Sequence, residues 1–219
     1  MHGRLLAIAV AVAPLAAYGM GGYVEGTVGY TAVSDVGIQG TATTTEAGTV
    51  SKMSLEYSSG VGTGLEIGIR DFEEYGSLRF GLAWDHFDAD LDRVSYTVSG
   101  GTEVPAGRYS ESADDVRASG VDFDTSANIF TANIYRDFPV SKSATLYLGG
   151  GLGVADVDHM DDTPFAWRFS LGARYYVTDS ASLGLRWDYI GISEPEDELG
   201  IKYDNINTNR IGASAMVEF

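Results

Sequence analysis

Along most of the chain apolar and polar residues alternate one by one, which is the period of a strand with one greasy face. Beyond residue 20 no apolar stripe keeps helical spacing for three turns. The first predicted strand, Gly22 to Ala32, sets Val24, Val28, Tyr30 and Ala32 against Glu25, Thr27, Gly29 and Thr31. The second, Gly62 to Phe72, sets Leu65, Ile67 and Ile69 against Glu66, Gly68 and Arg70, and upstream Met53, Leu55 and Tyr57 share its parity. The third, Gly76 to Asp88, opposes Leu78, Phe80, Leu82 and Trp84 to Arg79, Gly81, Ala83 and Asp85. The fourth, Phe123 to Phe138, opposes Phe130, Ala132, Ile134 and Phe138 to Thr131, Asn133 and Tyr135, with Arg136 falling on the apolar side near the strand end.

Four more follow. Ala144 to Asp156 alternates Leu146, Leu148, Leu152 and Val154 with Gly149, Gly151 and Gly153. Thr163 to Val177 places Trp167, Phe169, Leu171, Ala173 and Tyr175 opposite Arg168, Ser170, Gly172 and Arg174. Ala181 to Ile192 places Leu183, Leu185, Trp187 and Tyr189 opposite Gly184, Arg186 and Asp188. Asn205 to Phe219 ends with Ile211, Ala213, Ala215, Val217 and Phe219 on one side and Gly212, Ser214, Met216 and Glu218 on the other. The reading is an all-β, eight-stranded antiparallel up-and-down barrel. Ten strands is the alternative, if Thr49 to Tyr57 and Val94 to Val98 both pair as wall strands.

The connections alternate in length. Those at Glu73-Glu74-Tyr75, Pro139 to Ser143 and Thr178-Asp179-Ser180 are short, whereas Val33 to Val61 and Ala89 to Asp122 are long. Short turns at one end and long loops at the other are the rhythm of transmembrane barrels. The amino end supports that compartment: Arg4, the apolar run Leu5 to Leu15 and Ala17-Tyr18-Gly19 read as a secretory signal peptide over residues 1–19. Interrupted by Pro14, the run is shorter than the roughly 20 apolar residues of a spanning helix. Residues 20–219 form the expected barrel domain.

The second face of each strand decides between water and lipid. A soluble barrel hides its apolar face and shows water a lysine-bearing one. Here the polar face carries glycines, small hydroxyls and charges of both signs: Glu25, Glu66, Arg70, Arg79, Asp85, Arg168, Arg174, Arg186, Asp188, Arg210 and Glu218. Lysine is missing from it. That set fits a narrow lumen in which guanidinium groups pair with carboxylates in fork geometry. The apolar face then meets hydrocarbon, and the last strand must zip to the first because no backbone amide can stay unpaired there.

Composition narrows the functions. The 219 residues contain no cysteine, so disulfides and thiolate chemistry are excluded. A formal net charge of −17 repels polyphosphate and excludes a sequence-independent nucleic-acid role.

The segments GGYVEGTVGY (21 to 30), TGLEIGIRDF (63 to 72), FTANIYRDFP (130 to 139), LYLGGGLGVADV (146 to 157), FAWRFSLGARYYVTD (165 to 179) and SLGLRWDYIG (182 to 191), with the terminal phenylalanine, resemble the small outer-membrane β-barrels of the OmpA-like and opacity-protein (Opa-like) superfamily. The resemblance implies the outer membrane of a Gram-negative bacterium, contact with its lipid and lipopolysaccharide, and recognition by the barrel-assembly machinery. Carried over to this chain, the assembly signal is Ile211, Ala215, Val217 and Phe219. Set beside full-length OmpA-type proteins, the expectation is a barrel alone, since the periplasmic peptidoglycan-binding domain of those proteins has no counterpart in these 219 residues.

Chemistry offers few candidates. Beyond the signal segment only His86 and His159 remain as imidazole bases, and neither sits in a deacylase-like pattern with a serine. The acidic stretches Asp88, Asp90 and Asp92, then Asp156, Asp158, Asp161 and Asp162, then Glu194, Glu196, Asp197 and Glu198, lack the spacing of a calcium loop and read as hydrated surface. Divalent ions bridging them to lipopolysaccharide phosphates are a further hypothesis, excluded if a chelator leaves thermal stability unchanged. No cofactor is expected. The expectation is a non-enzymatic barrel serving envelope integrity or surface interaction and adhesion, with GTATTTEAGT (40 to 49) as a loop tip suited to an extracellular ligand that the sequence does not name. A narrow porin-like channel for ions or small solutes is the alternative.

Overall fold

The computed structural model describes residues 21–39, 43–45, 48–70, 77–99, 104–118, 124–158, 160–197 and 200–219. The expected signal segment 1–19, the turn at Glu73-Glu74-Tyr75 and His159 lie outside the described residues. In chain order the elements are β1 (Gly21–Val33), β2 (Val36–Gln39), β3 (Thr43–Thr45), β4 (Gly48–Tyr57), β5 (Gly60–Arg70), β6 (Leu78–Ala89), β7 (Leu91–Ser99) and β8 (Gly107–Ser112). A short helix, α1 (Ala113–Ala118), leads to β9 (Thr125–Pro139), β10 (Ala144–Val157), β11 (Phe165–Tyr176), β12 (Ala181–Ile192), β13 (Lys202–Tyr203) and β14 (Ile206–Glu218).

Eight strands close into a barrel in the order β1-β14-β12-β11-β10-β9-β6-β5, each neighbour antiparallel. The seam between β1 and β14 runs unbroken from Tyr23 opposite Glu218 to Val33 opposite Thr208. Phe219 finishes it: its amide donates to the Gly22 carbonyl at 2.9 Å and its carbonyl accepts the Gly22 amide at 2.8 Å. Its ring lies on Gly22, where a Cβ would come within 2.6 Å of it. At the same rim the β9–β10 and β11–β12 turns are tight, with the Val140 amide bonded to the Ala144 carbonyl and the Val177 amide to the Ala181 carbonyl, each at 2.9 Å.

The ten-strand alternative fails. Thr49–Tyr57 and Val94–Val98 do pair with each other, but in a second sheet of order β13-β2-β4-β7-β8, with β3 beside β4. Much of what sequence assigns to two long loops is therefore strand. β2, β4 and β7 continue the line of β1, β5 and β6 past the end of the barrel, so part of the wall rises above the rest. The stretch 40 to 49 is a hairpin at its described positions, Thr45 opposite Gly48. Met53, Leu55 and Tyr57 are separated from β5 by Ser58 and Ser59, and Leu55 is buried instead of extending the apolar outer face.

Polarity reverses partway up the barrel on both faces at once. Outside, β6 presents Leu78, Phe80, Leu82 and Trp84 and then His86 and Asp88, while β10 presents Leu146, Leu148, Leu152 and Val154 and then Asp156. Inside, β6 runs Arg79, Gly81, Ala83, Asp85 and then Phe87 and Ala89; β12 runs Arg186, Asp188 and then Ile190 and Ile192. The upper lumen is a hydrophobic plug built from Val33, Phe87, Ile129, Val157, Ile190 and Ile206, continuous with Leu55 and Val94 of the second sheet and with Ala113 and Val116 of α1. Each such side chain taken from water contributes about 1.5–3 kcal/mol. In its upper part the molecule follows the rule of a water-soluble protein, apolar within and polar without. Below, the rule is inverted, and exposed residues such as Leu82 (55 %), Leu152 (63 %) and Leu185 (68 %) form a continuous outer band.

The reversal predicts position-dependent tolerance on one strand. In lipid vesicles, denaturant titration should find Leu82→Arg destabilising by about 2–4 kcal/mol, whereas Asp88→Arg, on the same face above the band, should cost no more than about 1 kcal/mol.

Candidate functional site: the charged lumen

Below the plug the barrel is filled by a linked array of charges. Six guanidinium groups (Arg70, Arg79, Arg168, Arg174, Arg186 and Arg210) meet six carboxylates (Glu25, Glu66, Asp85, Asp137, Asp188 and Glu218). A charge removed from water is tolerated only when paired and hydrogen-bonded, and the equal count meets the first of those conditions. All twelve come from inward positions of the alternating strands, which is why the polar face of the sequence is so rich in arginine.

The array has two centres. Around Asp188, Arg186 Nε donates to Oδ1 at 2.7 Å, Arg210 Nη2 to Oδ2 at 2.7 Å and the Ser170 hydroxyl to Oδ1 at 2.5 Å. Arg210 also reaches Asp85 Oδ1 at 2.6 Å, and Arg168 pairs with the other oxygen of the same carboxylate. Around Glu25 and Asp137, Arg79 Nε lies 3.0 and 3.1 Å from the two oxygens of Asp137 and its Nη1 3.4 Å from Glu25, which Arg174 also meets at 3.1 Å. Glu66 links the halves, accepting the hydroxyls of Tyr23 and Tyr135 at 2.6 Å each and the Asn133 amide at 3.1 Å. Arg186 donates to the Tyr135 hydroxyl at 2.7 Å, and at the rim Arg70 binds Glu218 and the Tyr176 hydroxyl, both at 2.6 Å.

Tyrosine rings wall the cations in. Arg79 lies 5.3, 4.6 and 5.0 Å from the ring centres of Tyr23, Tyr135 and Tyr147, and Arg174 lies 4.9 Å from Tyr147. Glycine makes room for them: Gly68 stands opposite Tyr23, and a Cβ there would fall 2.6 Å from that ring, as one at Gly172 would fall 2.5 Å from Tyr147.

All eleven charged residues predicted for the lumen lie within it. Sequence reasoning missed Asp137, masked by its position between Arg136 and Phe138 at a predicted strand end, and it missed the aromatic partners Tyr23 and Tyr147. Their signal was available, since each has inward parity opposite a glycine. Arg136 points outward beside Phe138, 5.6 Å from its ring centre. His86 is an outer-face residue near the top of the band, bonded to Asn128 at 3.2 Å and Asp88 at 3.3 Å.

Carboxylates of the acidic segments at the distal end accept hydrogen bonds from nearby backbone amides and a hydroxyl. Asp162 accepts the Glu196 amide at 3.2 Å, Asp158 the Ser126 hydroxyl at 2.6 Å, and Asp197 the Ile201 amide at 2.9 Å. Burial, together with the Asp197 carboxylate that accepts its hydroxyl, pushes the Tyr203 phenol up to about 12. Among the described residues no group of three or more metal-ligating side chains is placed to hold an ion.

The family model described as "Outer membrane protein beta-barrel domain" matches residues 3–219. No curated protein matches the chain in sequence. Among solved structures, the chain is similar to Neisserial surface protein A (NspA), with 16% identity, a TM-score of 0.55, and coverage of 90% of this chain and 97% of that one. It is also similar to the outer membrane protease OmpT of Escherichia coli, at 10% identity and TM-score 0.51 over 91% and 97% of the two chains. OprG of Pseudomonas aeruginosa aligns at 13% identity and TM-score 0.47 over 90% and 95%. At these identities the likeness is one of fold.

Removing one member of the buried array should expose its cost. Asp188→Asn leaves Arg186 and Arg210 undercompensated and is expected to destabilise the barrel by about 3–5 kcal/mol in denaturant titrations. Glu196→Gln breaks only the exposed Lys202 pair, at 3.7 Å, and should cost less than about 1 kcal/mol.

Proposed function

This chain belongs to the outer membrane protein β-barrel domain family of the Gram-negative outer membrane, and from that premise we propose that it is a sealed, non-enzymatic barrel whose work is to hold a protruding sheet at the cell surface. The observation that carries the reading is the double closure of the lumen. An eight-stranded barrel leaves an interior about filled by its own side chains. Here that interior holds the charge-balanced array below and the apolar plug beneath α1 above.

The same closure opposes the alternative of a narrow channel. A permeating ion would have to displace ion pairs in the lower lumen and then cross a dry apolar layer. An apolar depression of ≈ 470 Å³ lies on the outer wall instead, lined by Leu65, Leu82, Trp84, Phe130 and Leu152, where acyl chains rather than solutes are at hand. On the outer wall the His86 ring is bonded to Asn128 and Asp88.

In this reading both chain ends of the barrel face the periplasm, and the second sheet, with the acidic segments beside it, faces outward, where lipopolysaccharide and external partners are met. Residues 1–19 serve as the export signal. Ile211, Ala215, Val217 and Phe219 present the terminal strand to the assembly machinery, and the double hydrogen bond of Phe219 to Gly22 gives that residue a second task in closing the seam.

Two measurements test the reading. In planar bilayers the purified barrel should give no discrete conductance steps, and reproducible steps would favour the channel. Deleting Phe219 should slow appearance of the heat-modifiable folded form in membranes carrying the assembly machinery by several-fold, and an unchanged rate would remove the proposed signal.

A further inference from the structure

The lipid-facing wall is not evenly covered. The depression of ≈ 470 Å³ between β5, β6, β9 and β10 is floored by Ala132, with Leu65, Leu82, Trp84, Phe130 and Leu152 around it. A second hollow of ≈ 800 Å³ shares Ala132 and Leu152 with the first and continues across β10 to β11, where Phe80, Ile134, Phe165 and Trp167 line it. Two small outward residues give the pair its depth. Ala132 stands opposite Leu82 on one neighbouring strand and Leu152 on the other, and Gly150 stands opposite Ile134 and Phe169. Gly150 does not make room for another side chain of this protein. Its neighbours Gly149 and Gly151 face the lumen, where an added Cβ would collide with the side chains of Tyr135 and Asn133. A Cβ on Gly150 would meet only the Arg168 carbonyl, at 3.1 Å, so the space before it is left to something outside the chain.

The rims of this trough are held in place. Trp84 Nε1 donates to Asn128 Oδ1 at 3.1 Å and its ring stacks on His86 at 6.1 Å, so the indole stands at the edge of the hollow without folding into it. On the far side Trp167 lies over Gly191 and against Tyr189, 5.2 Å between ring centres. A hollow with fixed walls binds a matching shape at little ordering cost. Leu82 and Trp84 are the upper two of the four apolar outward residues of β6, just below His86 and Asp88, which puts the first hollow in the half of the band nearer the raised sheet. Continuity with the band makes hydrocarbon the occupant. The outward side chains above it, His86, Asp88, Asn128 and Asp156, include no lysine or arginine and two carboxylates, so a headgroup phosphate is not what the site selects.

We propose that the joined hollows are a lipid site that seats two neighbouring saturated acyl chains of one lipopolysaccharide anchor from the outer leaflet. Straight chains can lie along a rigid trough walled by Trp84, Phe130 and Trp167, whereas a kinked unsaturated chain leaves part of it unfilled and forfeits those contacts. Shape and burial of the chains carry the recognition, with Ala132 and Gly150 as the residues that set it. The choice of leaflet rests on the reading that the raised sheet faces outward; the seat itself rests on the geometry of the wall.

The test uses the full mature chain in detergent micelles, with native mass spectrometry following adducts of lipid A, the acylated anchor of lipopolysaccharide, and of dioleoyl phosphatidylethanolamine. One lipid A per chain should be retained, at a lipid concentration at least tenfold below that needed for the phospholipid, and removal of its phosphates should leave retention unchanged. Ala132→Leu, at an exposed position that fills the floor, should weaken the adduct at least tenfold, and Gly150→Leu should repeat the loss from the second hollow. Ala213→Leu, on the lipid side of β14 and outside both hollows, should not. The heat-modifiable shift confirms that each variant is folded. Equal retention of the phospholipid, dependence on the phosphates, an adduct unchanged by filling the hollows, equal loss in Ala213→Leu, or no adduct would each overturn the proposal. So would a dimer of the chain that Ala132→Leu abolishes, which would make the trough a contact between copies. Antibody labelling of the raised sheet on intact cells tests display separately: a sheet unreachable from outside, with the lipid A adduct intact in micelles, would sink the display reading and leave the acyl-chain seat standing.

Discussion

A backbone amide in hydrocarbon has no water to bond, so a strand there must be paired on both edges. That constraint is met here by the seam of β1 with β14, and everything else in the molecule follows from it. Closure forces one side chain in two to face lipid and the next to face the lumen. Lipid selects Leu, Val, Phe and Trp for the first set, while the confined interior, which must still be filled, receives arginines and carboxylates locked together by tyrosine rings. The seam reaches its last residue, where Phe219 both completes the ladder and covers Gly22.

Where the lipid ends, the constraint lapses and the chain changes its rules. Above Asp85 and Asp188 the interior becomes Phe87 and Ile190, and the wall turns toward water with Asp88, Asn128 and Asp156. The upper barrel and its raised sheet share one apolar core, to which α1 adds Ala113 and Val116, so the raised part is anchored by burial as well as by covalent continuity. The paired charges below and the apolar plug above together occupy the interior of the barrel.

Much of this was legible in the residues. The eight wall strands are plain because a two-sided environment imposes a strict period of two, and the lumenal set, from Glu25 to Glu218, is plain because lipid tolerates no such residues on the other face. What sequence obscured has physical causes too. The polarity switch changes which parity is apolar, so Val33, Phe87, Ile129 and Ile190 look like noise at the ends of the predicted strands when they are the plug. The raised sheet is rich in Ser and Thr, which resembles loop composition, and its few buried anchors, such as Leu55 and Val94, are too sparse to announce strands. Asp137 is hidden by its neighbours Arg136 and Phe138, and Tyr23 and Tyr147 by being amphipathic rings whose residue type suits lipid boundary and lumen alike.

The central claim is that hydrocarbon wets the outer wall up to a definite level and water wets it beyond. Nitroxide spin labels placed singly at Phe80, Leu82 and Asp88, all on the outer face of β6, report this directly in bilayers. The account predicts that Phe80 and Leu82 are accessible to dissolved oxygen and shielded from a water-soluble nickel complex, with the reverse at Asp88. Equal access of the nickel complex to all three positions, or labels at Phe80 and Leu82 immobilised by packing in a water-soluble monomer, would contradict it.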